Sequence, residues 1–341
     1  MSPARILCFG ELLLRLSAPT GEKLLQSASL NVVVGGAEAN VAVCLAQLGQ
    51  SAALVSIVPD NALGHGARNE ARKYGVDVSG LQMSTSGRMG LYFLTPGAVL
   101  RPSEVLYDRQ GSAFALGSAD AIEWPPLLEG ADWFHISGVT PAIGAHAAAA
   151  AVRAVEAATE AGVPVSFDGN YRGKLWAQWR GDGPKILRTL FEHTALAFAD
   201  ERDIALVLGK DFGGDTPIER RRRAGEAAFA AFPKLHRIAS TIREVHGPDD
   251  HTLTGTMLSR DGGERVTRAF RLSRIVDRIG GGDAFAAGLL CGLSEGKDDA
   301  ASLDLAMACA SLKHGVFGDF HQVARSELDD VLEGGGGDVR R

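Results

Sequence analysis

Asp277-Arg-Ile-Gly-Gly-Gly-Asp-Ala-Phe285 sets three consecutive glycines directly before an aspartate, at the entry to the apolar run Ala284–Leu293. An apolar strand pattern ends at Val276 and the run that follows reads as a helix, so the glycines are expected at a helix N-terminus. Backbone N–H groups in a first helical turn lack partners, and the helix dipole favours negative charge there. Without Cβ atoms the backbone can approach an anion closely. Such donors suit a phosphoryl group in flight, and an acid beside them suits removal of a proton from an attacking hydroxyl. Gly280, Gly281 and Gly282 are therefore candidates for an anion hole, and Asp283 for a general base. A tight turn with Asp283 as a plain helix N-cap is the competing structural account.

A second glycine pair, in Val34-Gly-Gly-Ala-Glu-Ala-Asn40, leads into another helical pattern. Neither GxxxxGK[ST] nor a GxGxxG after the first strand occurs, which disfavours a P-loop enzyme and a dinucleotide-binding dehydrogenase.

Short apolar runs alternate with longer helical ones along the 341 residues. Strands are expected at Ile6–Phe9, Ala53–Ile57, Trp133–Ile136, Val163–Phe167, Leu196–Ala199 and Arg237–Thr241. Helices are expected at Ala37–Leu48, Asn61–Tyr74, Ala142–Ala161, Thr216–Ala231, Asp283–Leu293 and Ala300–Lys313. The alternation predicts an α/β fold, a mostly parallel sheet with helices on both faces. The Ala-rich helix could pack close to that sheet. Residues 12–34 and 88–109 break the pattern with strand-like, period-two segments and are expected to form a small β lid. The core would then comprise 1–11, 35–87 and 110–333, with a flexible tail at 334–341.

A net charge of −6 disfavours nucleic acid as a partner, and no apolar run is long enough to span a membrane. Cys8, Cys44, Cys291 and Cys309 lie far apart with no CxxC pair, which argues against zinc and fits reduced thiols in a cytoplasmic setting. An exposed lid edge invites pairing with a second copy, so a homo-oligomer is expected.

The two glycine motifs, in this order, resemble those of the ribokinase-like (PfkB) carbohydrate kinases, whose fold is a three-layer α/β/α core with a β-sheet lid. In that family an early GG-x-x-x-N loop contacts sugar and a late D-x-x-G-A-G-D loop carries anion hole and base. Here Gly281 stands where alanine is usual. GGAEANVAVCLAQLG, GLYFL, EVLYDRQGSAFA, FHISGVTPA, FDGNYRGKLW and DRIGGGDAFAAG extend the resemblance from about residue 6 to 320 and narrow it to the 2-keto-3-deoxygluconate kinases. The resemblance implies phosphorylation of that sugar acid at its 6-hydroxyl, with ATP and Mg2+, and Gly35, Gly36, Asn40, Tyr92 and Tyr107 on the sugar. Arg109 and Arg172 suit its carboxylate, because guanidinium pairs with carboxylate bidentately. The nucleotide side departs from the family pattern: Asp200 and Asp203, candidates for the nucleotide's Mg2+, stand where Asn and Glu of an Asn-x-x-Glu motif are usual, and Thr241 and Arg243, on a strand that in many relatives ends in Lys-x-Gly, are candidates to contact the ATP phosphates. Lys313 and His314 read as cations capping a helix C-terminus. Asp277 is the candidate for a monovalent cation, K+, that some members bind. A fructokinase or ribokinase of the same fold, or a catalytically silent sugar-binding relative, remains an alternative.

Overall fold

The computed structural model describes residues 3–334, so all of the expected tail except Gly334 lies outside the described residues. The strands are β1 (Arg5–Phe9), β2 (Leu13–Ser17), β3 (Asn31–Gly35), β4 (Ser51–Pro59), β5 (Leu81–Ser84), β6 (Leu91–Thr95), β7 (Glu104–Asp108), β8 (Trp133–Ser137), β9 (Val165–Asp168), β10 (Thr194–Phe198), β11 (Arg237–Gly247), β12 (Asp250–Ser259), β13 (Gly263–Val266) and β14 (Phe270–Ser273). The large sheet runs β13-β12-β11-β10-β9-β8-β1-β4-β5, with β14 also on β12. From β11 to β5 every pairing is parallel; the β11–β12 hairpin and its neighbours are antiparallel.

Strand periodicity builds the three layers. In β1, Ile6 and Cys8 point into one apolar core while Leu7 and Phe9 point into the other. The first core holds helices Ala37–Gln47, Gly281–Ser294 and Asp299–Lys313. The second holds Ala145–Glu160, Gly183–His193 and Pro217–Ala231. A sheet buried on both faces explains why its central strands read as unbroken apolar runs.

Four strands form a separate sheet in the order β3-β2-β6-β7. They come from the two stretches that broke the helix–strand alternation, with β3 running on to Gly35. Val32 and Leu106, on its two edge strands, are exposed.

Three sequence expectations change. The strand pattern before the glycines stops at Ser273, not Val276, which is exposed. Strand β11 runs on to Gly247 and pairs with β12, a strand whose alternating threonines hid it. Helices Gly173–Trp179, Gly183–His193 and Glu201–Leu208 were not expected; the first and third span only 7 and 8 residues. All four cysteines are buried free thiols. Cys44 and Cys309, distant in sequence, meet His321 with ligand atoms within 4.8 Å of one another, a juxtaposition that chain spacing does not reveal.

The Ala-rich helix packs as its composition suggests, with Ala147, Ala150, Ala151, Ala154 and Ala158 buried. Close-packed alanines leave no room for added methylenes. Ala154→Leu is expected to lower unfolding stability by about 1–3 kcal/mol. Ala149→Leu, on the exposed face of the same helix, should be near neutral. Paired urea denaturation curves check this.

Candidate active site

Two cavities open at the carboxyl ends of β9, β10 and β11, the edge where parallel α/β sheets bind ligands. One, of about 400 Å³, lies under the small sheet; Leu13, Tyr92, Val105 and Tyr107 cover it. Gly36, Asn40, Arg109, Asp168, Asn170, Arg172, Gly280, Asp283 and Asp319 complete its wall. The other, of about 530 Å³, is lined by Asp200, Asp203, Thr241, Arg243, Gly281, Phe285 and His314, among others. Asp168, Arg243, Arg278 and Gly282 border both. The two spaces therefore meet at the glycine run.

The glycines begin the helix Gly281–Ser294, with Gly280 as N-cap. Gly280 has φ +85°, and a Cβ there would stand 2.2 Å from the carbonyl oxygen of Asp319, so both conformation and space demand glycine. Asp283 is thus the third helical residue and not the N-cap. Among the described residues, the N–H groups of Gly282 and Asp283 have no acceptor within the chain. Gly281 has a local reason as well: a Cβ would come 2.7 Å from the His314 ring, which Ala310 O anchors at 2.6 Å.

Asn40 Nδ2 donates to Asp283 Oδ2 at 2.6 Å. Helix Ala37–Gln47, which follows the early glycine pair, aims Asn40 there. Burial pushes the Asp283 carboxyl up to about 6; the Asn40 bond opposes this and neighbouring Asp319 adds to it. Asp168 is raised well above the usual carboxylate range, first by burial and then by the negative charges of Asp283 and Asp203. Asp203 rises to about 6 through burial and the adjacent Asp200. Asp168, raised by the charges of both Asp283 and Asp203, stands where a divalent cation would relieve the burial of these carboxylates.

Asp200 is differently placed. Its Oδ1 accepts from Arg202 N and Asp203 N, and its Oδ2 accepts from the Arg202 guanidinium. Together with Asp203 it forms a helix capping box. The sequence paired Asp200 and Asp203 as magnesium ligands; the Asp200 oxygens are engaged by Arg202 and Asp203 N, while Asp203 lines the second cavity together with Asp168.

The arginine pair is unequal. Both line the covered cavity, yet Arg109 is buried with its Nε 2.5 Å from Glu11 Oε2, so a carboxylate already balances its charge. It is not the solvated edge charge that its strand context allows. Arg172 is exposed and has no ion-pair partner among the described residues. Tyr92 and Tyr107 face each other across β6 and β7, and the Tyr92 hydroxyl donates to Asp319 Oδ2 at 2.8 Å. Gly35 and Gly36 lie where the small sheet joins the helix, Gly36 as its N-cap and on the cavity wall. Thr241 and Arg243 line the second cavity, and Arg221 holds the Thr241 carbonyl at 3.1 Å.

Asp277 faces neither cavity openly. Its Oδ1 accepts from Ile279 N at 3.0 Å, and its Oδ2 accepts from Arg15 at 2.6 Å and Gly318 N at 3.1 Å. Lys313 is fully buried, its Nζ donating to Val316 O at 3.0 Å, so it is an interior charge as well as a helix-end cation. The sequence reading did not single out Asp168, Arg278, Asp319 or Arg15. Asp168 and Arg278 stand inside motifs already quoted, and Asp319 inside Leu312–Phe320, a segment that resembles one bordering the nucleotide pocket in the family; Arg15 carries no local signal.

Two cavities on a three-layer α/β fold thus share a donor-bearing helix start beside a buried acid. The chain belongs to the pfkB family of carbohydrate kinases, whose family model matches residues 3–321. It is 34% identical over 338 residues to the 2-dehydro-3-deoxygalactonokinase of Haloferax volcanii, covering 99% of each chain. It is 28% identical to the 2-dehydro-3-deoxygluconokinase of Thermoproteus tenax, covering 92% of this chain and 89% of that one. Its fold matches the crystal structure of the 2-dehydro-3-deoxygluconokinase of Thermotoga maritima with a TM-score of 0.91, at 34% identity over 97% of this chain and 99% of that one.

The raised Asp283 pKa has a thermodynamic sign. A carboxyl with pKa about 6 when folded and near 4 when unfolded destabilises the fold progressively as pH rises from about 4 to 6. Asp283→Asn removes that cost. Its melting temperature should exceed the wild type's by a few degrees at pH 7.5, and the difference should vanish below pH 4. Melting curves of both proteins across this range test it.

Proposed function

We propose that this carbohydrate kinase phosphorylates 2-keto-3-deoxygluconate, or its epimer at carbon four, at the 6-hydroxyl with ATP. The observation that carries the reading is the meeting of the two cavities at Gly282, next to Asp283 on the wall of the covered one. An acceptor under the lid and a donor in the open cavity would both reach the same helix start. The relatives named for these two sugar acids support the substrate class.

Asp283 takes the proton of the attacking hydroxyl as its oxygen bonds to the γ-phosphorus. The bond to the β-γ bridging oxygen breaks and ADP leaves. Free N–H groups of Gly282 and Asp283, with Gly281 beside them, hold the equatorial oxygens of the group in transit. Arg243 and Arg278 border both cavities and stabilise the same negative charge. Asp203 and Asp168 would hold Mg2+, which neutralises phosphate charge when bound. Asn40 fixes the orientation of the base. Arg172 meets the substrate carboxylate; Arg109, locked to Glu11, offers its remaining N–H groups as oriented donors.

The test is ADP release with ATP and Mg2+ on 2-keto-3-deoxygluconate, its galactonate-derived epimer, fructose, ribose and gluconate. Turnover confined to the keto-deoxy acids is expected. Preference for fructose or ribose would move the assignment to a neutral-sugar kinase, and binding without turnover would favour a silent relative. Arg172→Ala should raise KM for the acid at least tenfold, consistent with loss of a charge-assisted contact, and leave KM for any neutral sugar turned over nearly unchanged.

A further inference from the structure

Behind the glycine run lies a buried charge cluster that the transfer chemistry does not use. Arg15, on lid strand β2, is completely buried. Its Nη2 lies 2.6 Å from Asp277 Oδ2 and its Nη1 3.1 Å from Asp319 Oδ1. The guanidinium thus bridges two carboxylates that are 262 and 304 residues away in sequence. Both carboxylates belong to segments that frame Gly280: Asp277 precedes it by three residues, and the Asp319 carbonyl oxygen lies 2.2 Å from where a Cβ on Gly280 would stand. Buried Lys313 is the second cation here; Asp277 and Asp319 both act on its charge.

The family resemblance drew attention to Asp277 as a possible ligand for K+. The residues present do not fit that ion. Both Asp277 oxygens already accept N–H donors, three in all. Asp319 Oδ2 accepts the Tyr92 hydroxyl, and its Oδ1 faces Arg15. Two carboxylates and two side-chain cations sum to zero charge. A further bare cation would enter a balanced, buried cluster and would lose its hydration without gaining a free anion.

We infer that Arg15 is a built-in cation that positions the anion-hole loop, and that this kinase therefore turns over without a monovalent metal ion. Arg15 touches neither substrate; it acts through Asp277 and Asp319 on the backbone of Gly280–Gly282, and so is a positioning residue. Because it comes from the lid sheet, it also ties that sheet to the helix start. The inference rests on the kinase activity argued above.

The decisive measurement is the wild-type rate in chloride salts of potassium, sodium and tetramethylammonium at equal ionic strength. ATP is supplied free of alkali metal, and ADP is read by chromatography so that no coupling enzyme adds an ion requirement of its own. Rates within about twofold of one another, the scatter expected of non-specific salt effects, are the expected result. A rate at least tenfold lower in tetramethylammonium and restored by K+ would overturn the inference. Absence of turnover in every salt would count against the proposed substrate instead. Thermal unfolding in the same salts gives a second reading independent of activity: equal melting temperatures are expected, and a K+-specific rise of several degrees would overturn the proposal. Arg15→Gly should lose activity at least a hundredfold and regain part of it with added guanidinium, which a cavity of about 290 Å³ beside Arg15 can admit. A folded Arg15→Gly enzyme with near-normal turnover in tetramethylammonium would show that no cation is needed there and would refute the role of Arg15. The wild-type salt comparison stands even if that variant does not fold.

Discussion

A carboxylate base must sit against a phosphate, and two like charges repel. The structure is organised around that constraint. Asp283 stands in the first turn of a helix whose free N–H groups favour anions; in the proposed mechanism this would draw base and phosphoryl group to one place. Burial, and then the nearby acid Asp319, push against ionisation of Asp283. Asn40, reaching from a different helix, supplies the hydrogen bond that keeps the base oriented and opposes the shift. A pKa of about 6 suits the proposed role, in which the carboxyl must be ionised at neutral pH yet able to accept a proton.

The same constraint repeats one layer deeper. Asp277 and Asp319 are anions buried behind the loop, and their desolvation is costly unless paired. Arg15 and Lys313 supply the pairing from the lid and from the neighbouring helix. Tyr92, also on the lid, bonds to Asp319. The lid is thus linked to the helix start by polar contacts as well as by the apolar cluster of Leu13, Tyr92 and Leu94. On the proposed function, covering the acceptor and setting the donor loop would be parts of one arrangement.

Much of this was legible in the chain. Central strands bury both faces, so their apolar runs stand out; the long helices carry period-3.6 patterns or alanine, and the glycine runs announce their own turns. The strands β12 to β14 were harder, because antiparallel strands near a sheet edge alternate threonine and charge with apolar residues and resemble loops. At the site, the residues within glycine motifs could be named from sequence, while those whose role depends on long-range pairing could not. Nothing local in Leu13-Leu-Arg-Leu-Ser17 says that Arg15 crosses to Asp277 and Asp319. Nor does Arg109 show in sequence that Glu11 has claimed its charge, or Asp200 that Arg202 has. Side-chain type is visible in a sequence; the partner that consumes its charge is visible only in space.

The central claim is that Asp283 is the base of a sugar-acid kinase, and kinetics of Asp283→Asn test it most directly. The quantities are kcat at saturating ATP with 2-keto-3-deoxygluconate, and the Kd of the sugar acid by calorimetry. The account predicts a kcat about 10²–10⁴-fold below wild type, with sugar affinity within a few-fold of it. A kcat within tenfold of wild type, with binding intact, would contradict it.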